Sequence, residues 1–423
     1  MPLPDLLPAW QGAKSVTLLF LCIAILCFPF SVAATNVALG IVLALGLLSG
    51  IWWQGLMALW QAHRGLVLAL IAYLALVVIG LIWSIDYAWG LKILGRHWFW
   101  LLLPIVVSVL SMQGNRQVFL AVASVGFTAN LLFCVLQANG LADGHSASGS
   151  SAENATGHIG HTSFGFIYGI WAAWLIHLGL LCRNRYSWLL WGLSLWALVM
   201  VFMAQGKSGY IVTLAVMLFV MVKWLQEGSS RRMLISLASI LFLVGLTISF
   251  GPGKDRLLGT WHALTGNVNS QSELNWDQTS AISSATARLE WWKVSYETWL
   301  NKPIIGFGTG SFPKAVADWK ANHVDEWSYD VPIVHPHNQY LLSMVRWGVI
   351  GLVLLLTLLY FWVREGISKP WRNSTVMPLI TLTGAALLVH GLSSASMEEH
   401  FSTIFAVLML SAGLSETLGE KDT

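Results

Sequence analysis

Charge is the scarcest property of this chain. Only 10% of its 423 residues are Asp, Glu, Lys or Arg, while 56% are hydrophobic. A water-soluble domain carries roughly 25% charged residues, so the deficit excludes an ordinary soluble enzyme. No nucleic-acid partner is expected either, because phosphate backbones are held by clustered Lys and Arg. Cysteine is nearly absent too. The four are Cys22, Cys27, Cys134 and Cys182, all in or beside apolar stretches and none in the long polar loop. They form no CxxC pair, so neither a disulfide framework nor a thiolate metal site is expected. The chain also lacks HExxH and GxSxG, and its outer loops lack DxD. Zinc-protease and serine-hydrolase chemistry have no foothold.

What is present is apolar length. Mean hydropathy is +0.67, and a membrane span needs about 20 apolar residues. Twelve candidate spans fall near 15–33, 36–56, 65–84, 88–111, 117–137, 161–181, 186–204, 209–226, 233–250, 338–363, 375–392 and 400–416. The fold class expected is therefore all-α, a polytopic membrane protein of about 12 transmembrane helices. Its organisation would be a bundle of nine spans (1–250), a polar loop domain (251–337) and a bundle of three spans (338–423). The first stretch ends in a signal-peptidase-like Ser-Val-Ala. It is expected to stay as a span, because removing it would disturb the charge pattern.

That pattern sets the orientation. With a cytoplasmic N-terminus, the inner loops hold Arg64, Arg116, Arg183, Arg185, Lys223, Arg231, Arg232, Arg364, Lys369 and Arg372, against Lys207 alone in the short outer loops. Positively charged loops stay inside, so both termini are expected in the cytoplasm and loop 251–337 outside. The shorter stretch 138–160, rich in Gly, Ser and Ala, is expected to be a flexible outer loop. Its Asn154-Ala-Thr156 is a glycosylation sequon by pattern only.

Within the long loop, residues 262–283 are polar. From about Ala285 to Leu300 the pattern becomes helical, with Leu289, Trp292, Tyr296 and Trp299 forming an apolar stripe. Asn301-Lys302-Pro303 should end that helix. Gly306-Phe-Gly308-Thr-Gly310 follows. It does not have nucleotide-loop spacing and lies in no βαβ unit.

Chemistry is sought at the outer ends of the spans. His337-Asn338, nine residues, and Gly348-Val-Ile-Gly351 stand where the polar loop enters the tenth span. Lys207 lies in an outer loop. Lys92 and Arg96 are four apart on one helix face, beside His97. Two cations at that depth need an anion or water, or must snorkel to the interface. Arg288 heads the amphipathic helix, and Glu398, Glu399 and His400 lie in the last outer loop. A metal site from His323, His335, His337 and Asp325 or Glu326 lacks a recognisable spacing. No metal and no cofactor are expected. His161, His323, His335, Glu398 and Glu399 receive no role from sequence.

The His337-Asn338…Gly348-Val-Ile-Gly351 pattern resembles the signature of the O-antigen ligases, polytopic GT-C-type glycosyltransferases with one long periplasmic loop. Leu352 departs from the Gly, Thr or Tyr usual after the last Gly. The stretch from Arg288 through Trp292, Pro303 and Gly306 to Phe312 also resembles the family's loop segment. The resemblance implies transfer of a glycan from undecaprenyl diphosphate to a sugar hydroxyl of lipid A–core, at the periplasmic face of a bacterial inner membrane. It implies His337 as the essential histidine and Arg288 as the essential arginine. Lys207 stands where relatives often carry Arg, keeping charge but losing the bidentate fork. Lys207, Arg96, Lys92 and Asn338 would bind substrate, with membrane lipids around them. O-antigen polymerases and protein O-oligosaccharyltransferases share the superfamily. A transporter of lipid-linked glycan is the reading from another class.

Overall fold

The computed structural model describes residues 7–143, 150–182, 184–228, 276–323 and 333–419, with three isolated positions between 228 and 276. Every described element is helical. The expected ninth span, most of the polar stretch 262–283 and the acidic pair Asp325 and Glu326 lie outside the described residues.

The helices are α1 (Leu7–Cys27), α2 (Val32–Leu48), α3 (Ile51–Ala62), α4 (Arg64–Ile79), α5 (Tyr87–Gly95), α6 (Leu102–Leu110), α7 (Gln113–Ala138), α8 (His161–Leu181), α9 (Ser187–Met203) and α10 (Lys207–Gln226). Then come α11 (Trp276–Leu300), α12 (Phe312–Ala321), α13 (Gln339–Ile367), α14 (Met377–His390) and α15 (His400–Gly419). Among the described residues six stretches are long and apolar enough to cross a membrane, or seven if the pair α2–α3 counts as one bent span. Shorter apolar helices accompany the expected spans near 15–33, 65–84, 186–204 and 375–392.

The second expected span, 36–56, falls on two helices, α2 and α3, that meet at 83°. Ser49 ends α2, and Gly50, at φ 78°, turns the chain into α3. Apolar residues run across the break, so composition alone could not reveal it.

The main apolar cluster is shared by α1–α4, α6–α10 and α13–α15, and a smaller one joins α11, α12 and the start of α13. Helix α8 is buried nearly all round, as expected for an apolar helix enclosed by others; α9, α10 and α14 pack on it. Polar groups gather at the two ends of the bundle. One end holds the His63–Glu365 contact at 2.8 Å, Arg116–Glu416 at 3.9 Å and Lys223–Glu227 at 3.6 Å. These belong to the basic segments assigned to the inner side. The opposite end holds His337 and the residues around it.

Helix α11 starts at Trp276 rather than near Ala285 and ends at Leu300, just before Asn301-Lys302-Pro303. Its buried face differs from the expected stripe. Ala287, Val294, Ser295 and Thr298 are buried, whereas Leu289 and Tyr296 are exposed. The Ser295 and Thr298 hydroxyls donate to the carbonyls of Trp291 and Val294 one turn back, at 2.6 and 2.7 Å. Their polarity is thus met inside the helix, and they pack as small residues. Of the stripe, Leu289 and Tyr296 are exposed while Trp292 and Trp299 are half-buried.

The glycine-rich segment after α11 repairs a break in α13. Gly348 has φ 63° and ψ −157° inside that helix. In an unbroken helix the Val349 and Ile350 N–H groups would bond to residues 345 and 346. Here they donate to Pro303 and Ile304 carbonyls at 2.8 and 3.4 Å. The freed carbonyls of Val345 and Arg346 accept from Phe307 and Gly308 N–H at 3.0 and 2.7 Å. Each buried polar group keeps a partner, which avoids about 1–3 kcal/mol per orphaned group. A Cβ at Gly348 would lie 2.1 Å from the Ile304 carbonyl oxygen. This explains the Gly348-Val-Ile-Gly351 motif and the Gly306–Gly310 run in backbone terms.

Candidate active site

The mouth of α13 is built by its cap. Asn338 sits at the N-cap, its Oδ1 accepting from Tyr340 and Leu341 N–H, both at 3.0 Å. Its Nδ2 donates to the Leu392 carbonyl at 3.2 Å. The carboxamide expected at the substrate is thus engaged at both ends within the protein. Gln339 completes the docking of the 391–397 loop: its N–H donates to the Gly391 carbonyl at 2.7 Å, and its Oε1 accepts from Met397 N–H at 3.1 Å.

One residue earlier, His337 has φ 51°, the one non-glycine left-handed residue among those described. Such a conformation costs energy and needs surrounding support. Support comes from α11. The Trp291 ring stacks on His337 with centroids 5.1 Å apart and planes at 20°. Trp292 Nε1 donates to the Pro336 carbonyl at 3.0 Å. From the other side, His337 N–H donates to His335 Nδ1 at 3.3 Å, with the two rings 4.3 Å apart.

Arg288 lies one turn before Trp291 and Trp292, on the same face. It is partly buried and makes no hydrogen bond or ion pair of 4.0 Å or less with another described residue. Its field reaches His337 and Glu399. Burial pushes the His337 ring down to about 3, with His335, Arg288 and His161 adding to the fall. His337 is therefore a neutral imidazole at physiological pH. Burial also lowers the guanidinium of Arg288, and Glu399 opposes that shift.

Two carboxylates close the site from the last loop. Glu398 is buried and bonded to Arg346 of α13, itself 1% exposed, with a second contact at 3.3 Å. Arg96 reaches the same carboxylate at 4.0 Å. Burial opposes ionisation of Glu398, but Arg346, His97 and Arg96 hold its carboxyl below the usual value. Glu399 behaves oppositely. Burial raises it to about 7, against hydroxyls from Ser402 and Ser163 and the field of Arg288; Ser394 Oγ also donates to it.

The sequence-selected cations divide. Arg288 and Arg96 flank this constellation. Lys207 is the first residue of α10, and Gly206 before it touches the backbone of His161, whose charge is felt at His337. Lys92 is exposed on α5 and lies 5.0 Å from the Trp89 ring, which Arg96 also meets at 5.9 Å. The histidines considered for a metal are separated in role: His323 stacks on Trp319 at 4.2 Å and bonds its carbonyl, within reach of α12 alone. Among the described residues no group of three or more His, Cys, Asp or Glu could hold a metal ion.

The stretch expected as a flexible outer loop is corrected over 150–160. Gln137 binds Ser150 and Gly157 N–H at 2.8 and 3.0 Å. Asn154 is 7% exposed, its Oδ1 accepting from Gln205 N–H at 2.9 Å. The sequon asparagine is thus an interior strut between this segment and the Lys207 turn. The sequence places Glu399 in the last outer loop without a role, and it does not anticipate the Trp291 stack. Local pattern assigns neither a role, since both act through contacts made far along the chain.

Residues 166–356 match the family model described as O-antigen ligase. Two curated relatives are provisionally named polysaccharide ligases. One from Rickettsia conorii is 26% identical over 189 residues, covering 41% of this chain and 43% of that protein. One from Rickettsia felis is 26% identical over 220 residues, covering 49% and 51%. The matched region spans about half the length of these relatives. The family match includes Lys207, Arg288, His337 and Asn338, while Lys92, Arg96, Glu398 and Glu399 fall outside it.

Proposed function

We propose that this chain, whose residues 166–356 belong to the O-antigen ligase family, transfers a glycan from undecaprenyl diphosphate to a sugar hydroxyl of lipid A–core. The observation carrying this reading is a neutral His337, stacked on Trp291, with Arg288 beside it. An acceptor hydroxyl needs a base, and a departing diphosphate needs cations.

The step balances without an added reagent. The acceptor oxygen attacks the anomeric carbon, the carbon–oxygen bond to diphosphate breaks, and the hydroxyl proton passes to His337. Attack from the face opposite the leaving group inverts configuration. Arg288 and Lys207 hold the growing negative charge, a task that requires no metal. Lys92 and Arg96 meet the anionic parts of lipid-borne substrates. Asn338 positions His337 through the helix cap. Burial and the neighbouring positive groups leave His337 a weakened base. A bound diphosphate brings negative charge to its surroundings, offsets Arg288 and raises its basicity.

In this reading the protein has the twelve-span GT-C plan. The His337 end faces the periplasm and both termini face the cytoplasm of an inner membrane. The decisive experiment is transfer by purified protein from undecaprenyl-diphosphate-linked glycan to lipid A–core in detergent, with and without chelator. Transfer by wild type and its loss in His337→Ala, with donor binding retained, support the reading. Unchanged transfer in His337→Ala removes it. Polymer growth on lipid-linked glycan in place of core capping would reassign the acceptor.

A further inference from the structure

Beside the mouth lies a small cleft of about 40 Å³, lined by Trp89, Arg96, His335, Arg346, Glu398 and Glu399 among others. Its chemistry differs from that around Arg288. Two guanidinium groups face two carboxylates, so when all are ionised their charges cancel and no excess remains to select a phosphate. The free bonding capacity is mixed. Arg346 is 1% exposed, yet its Nε has no hydrogen-bond partner among the described residues. The buried indole N–H of Trp89 has none among them either. Opposite these donors, Glu399 accepts from Ser394 and Ser402, and a carboxylate with about four lone-pair sites can accept further.

A group that accepts from N–H donors and donates to a carboxylate at the same time is a hydroxyl. The volume admits one hydroxyl or hydroxymethyl group rather than a whole sugar ring. The cleft is joined to the reacting centre through His335, which lines it and lies 4.3 Å ring to ring from His337. We propose that this cleft is a recognition subsite for a single hydroxyl or hydroxymethyl group of the carbohydrate acceptor, held between the Arg346 and Trp89 N–H groups and Glu399. It orients the neighbouring acceptor hydroxyl toward His337. This rests on the glycosyl-transfer reading above and adds to it the acceptor's location and the group that is read. A site that bonds a hydroxyl discriminates strongly against an analogue lacking it, because its buried polar groups are then left unpaired.

The test uses full-length protein in detergent and two variants, Trp89→Phe, which keeps the ring and deletes the N–H, and Glu399→Gln. The expected result is a rise in acceptor KM of about 10-fold in each, with donor KM within about 2-fold of wild type. A panel of singly deoxygenated core oligosaccharides should contain one that wild type uses at least 10-fold less well and that both variants treat like the parent. Saturation-transfer NMR with the same oligosaccharides reads binding without turnover. Binding with the same deoxy discrimination but no transfer would sink the ligase reading and leave the subsite standing. A change in donor KM alone, or no change in either KM in properly folded Trp89→Phe, means the cleft holds only water and overturns the proposal. Absence of both transfer and oligosaccharide binding by wild type overturns both.

Discussion

Trp291 lies almost parallel to His337, with planes at 20° and centroids 5.1 Å apart. These residues are 46 positions apart in sequence, and their contact joins the loop helix to the mouth of α13. An aromatic stack of this kind is worth about 0.5–1.5 kcal/mol beyond burial. It opposes the cost of the left-handed backbone at His337.

Replacing Trp291 by Ala should therefore loosen His337 without removing it. We expect kcat to fall about 3- to 10-fold, the range set by that stacking energy, while Trp291→Phe keeps most of the rate. Steady-state transfer kinetics on the two variants make the comparison. Equal losses in both would show that stacking is not what holds the ring.

His337 should also leave a mark on stability. Its ring titrates at about 3 when folded and near 6.5 when unfolded. Below about pH 6.5 the unfolded chain takes up a proton that the folded chain refuses, so stability falls as pH drops toward 3. The full contribution is present above about pH 6.5. His337→Gln removes this term. Between pH 7 and pH 5 the variant should lose less melting temperature than wild type in detergent. A larger loss in the variant would reverse the assigned direction.

The splice at Gly348 predicts a sharp positional contrast. Gly348→Ala must carry a Cβ in the left-handed region and into the Ile304 carbonyl. A cost of about 2 kcal/mol or more is expected, roughly half from the backbone alone. Gly114→Ala in α7 meets nothing within 4 Å and should be neutral or slightly stabilising. Thermal unfolding of both variants in one detergent tests this; similar melting temperatures would contradict the splice.

Breaking the Arg346–Glu398 pair from one side should be costly. Arg346→Met leaves Glu398 buried beside His97 and the more distant Arg96, and removal of one partner of such a pair typically costs about 3–5 kcal/mol. The double variant Arg346→Met/Glu398→Gln should recover part of that loss. Additive losses in thermal unfolding would show that the two side chains act independently.

The mouth was legible where the backbone itself imposes residue types. His337-Asn338 reads as a cap and Gly348 as a position other residues cannot occupy, so a short pattern carries both. The buried face of α11 was not legible because Ser295 and Thr298 bond to their own helix and pack like alanine. The 150–160 segment was misread because its polar residues satisfy Gln137 and Gln205, contacts that no local composition encodes. The bend at Gly50 is hidden because apolar residues continue on both sides. Arg288, His337 and Glu399 converge only in three dimensions, and the sequence offers each without its neighbours.

The interlocked backbone of residues 303–308 and 345–350 has a mechanical corollary. Arg288 and His337 hang from opposite banks of one stitched seam, so neither bank can slide without breaking the four amide pairs that join them.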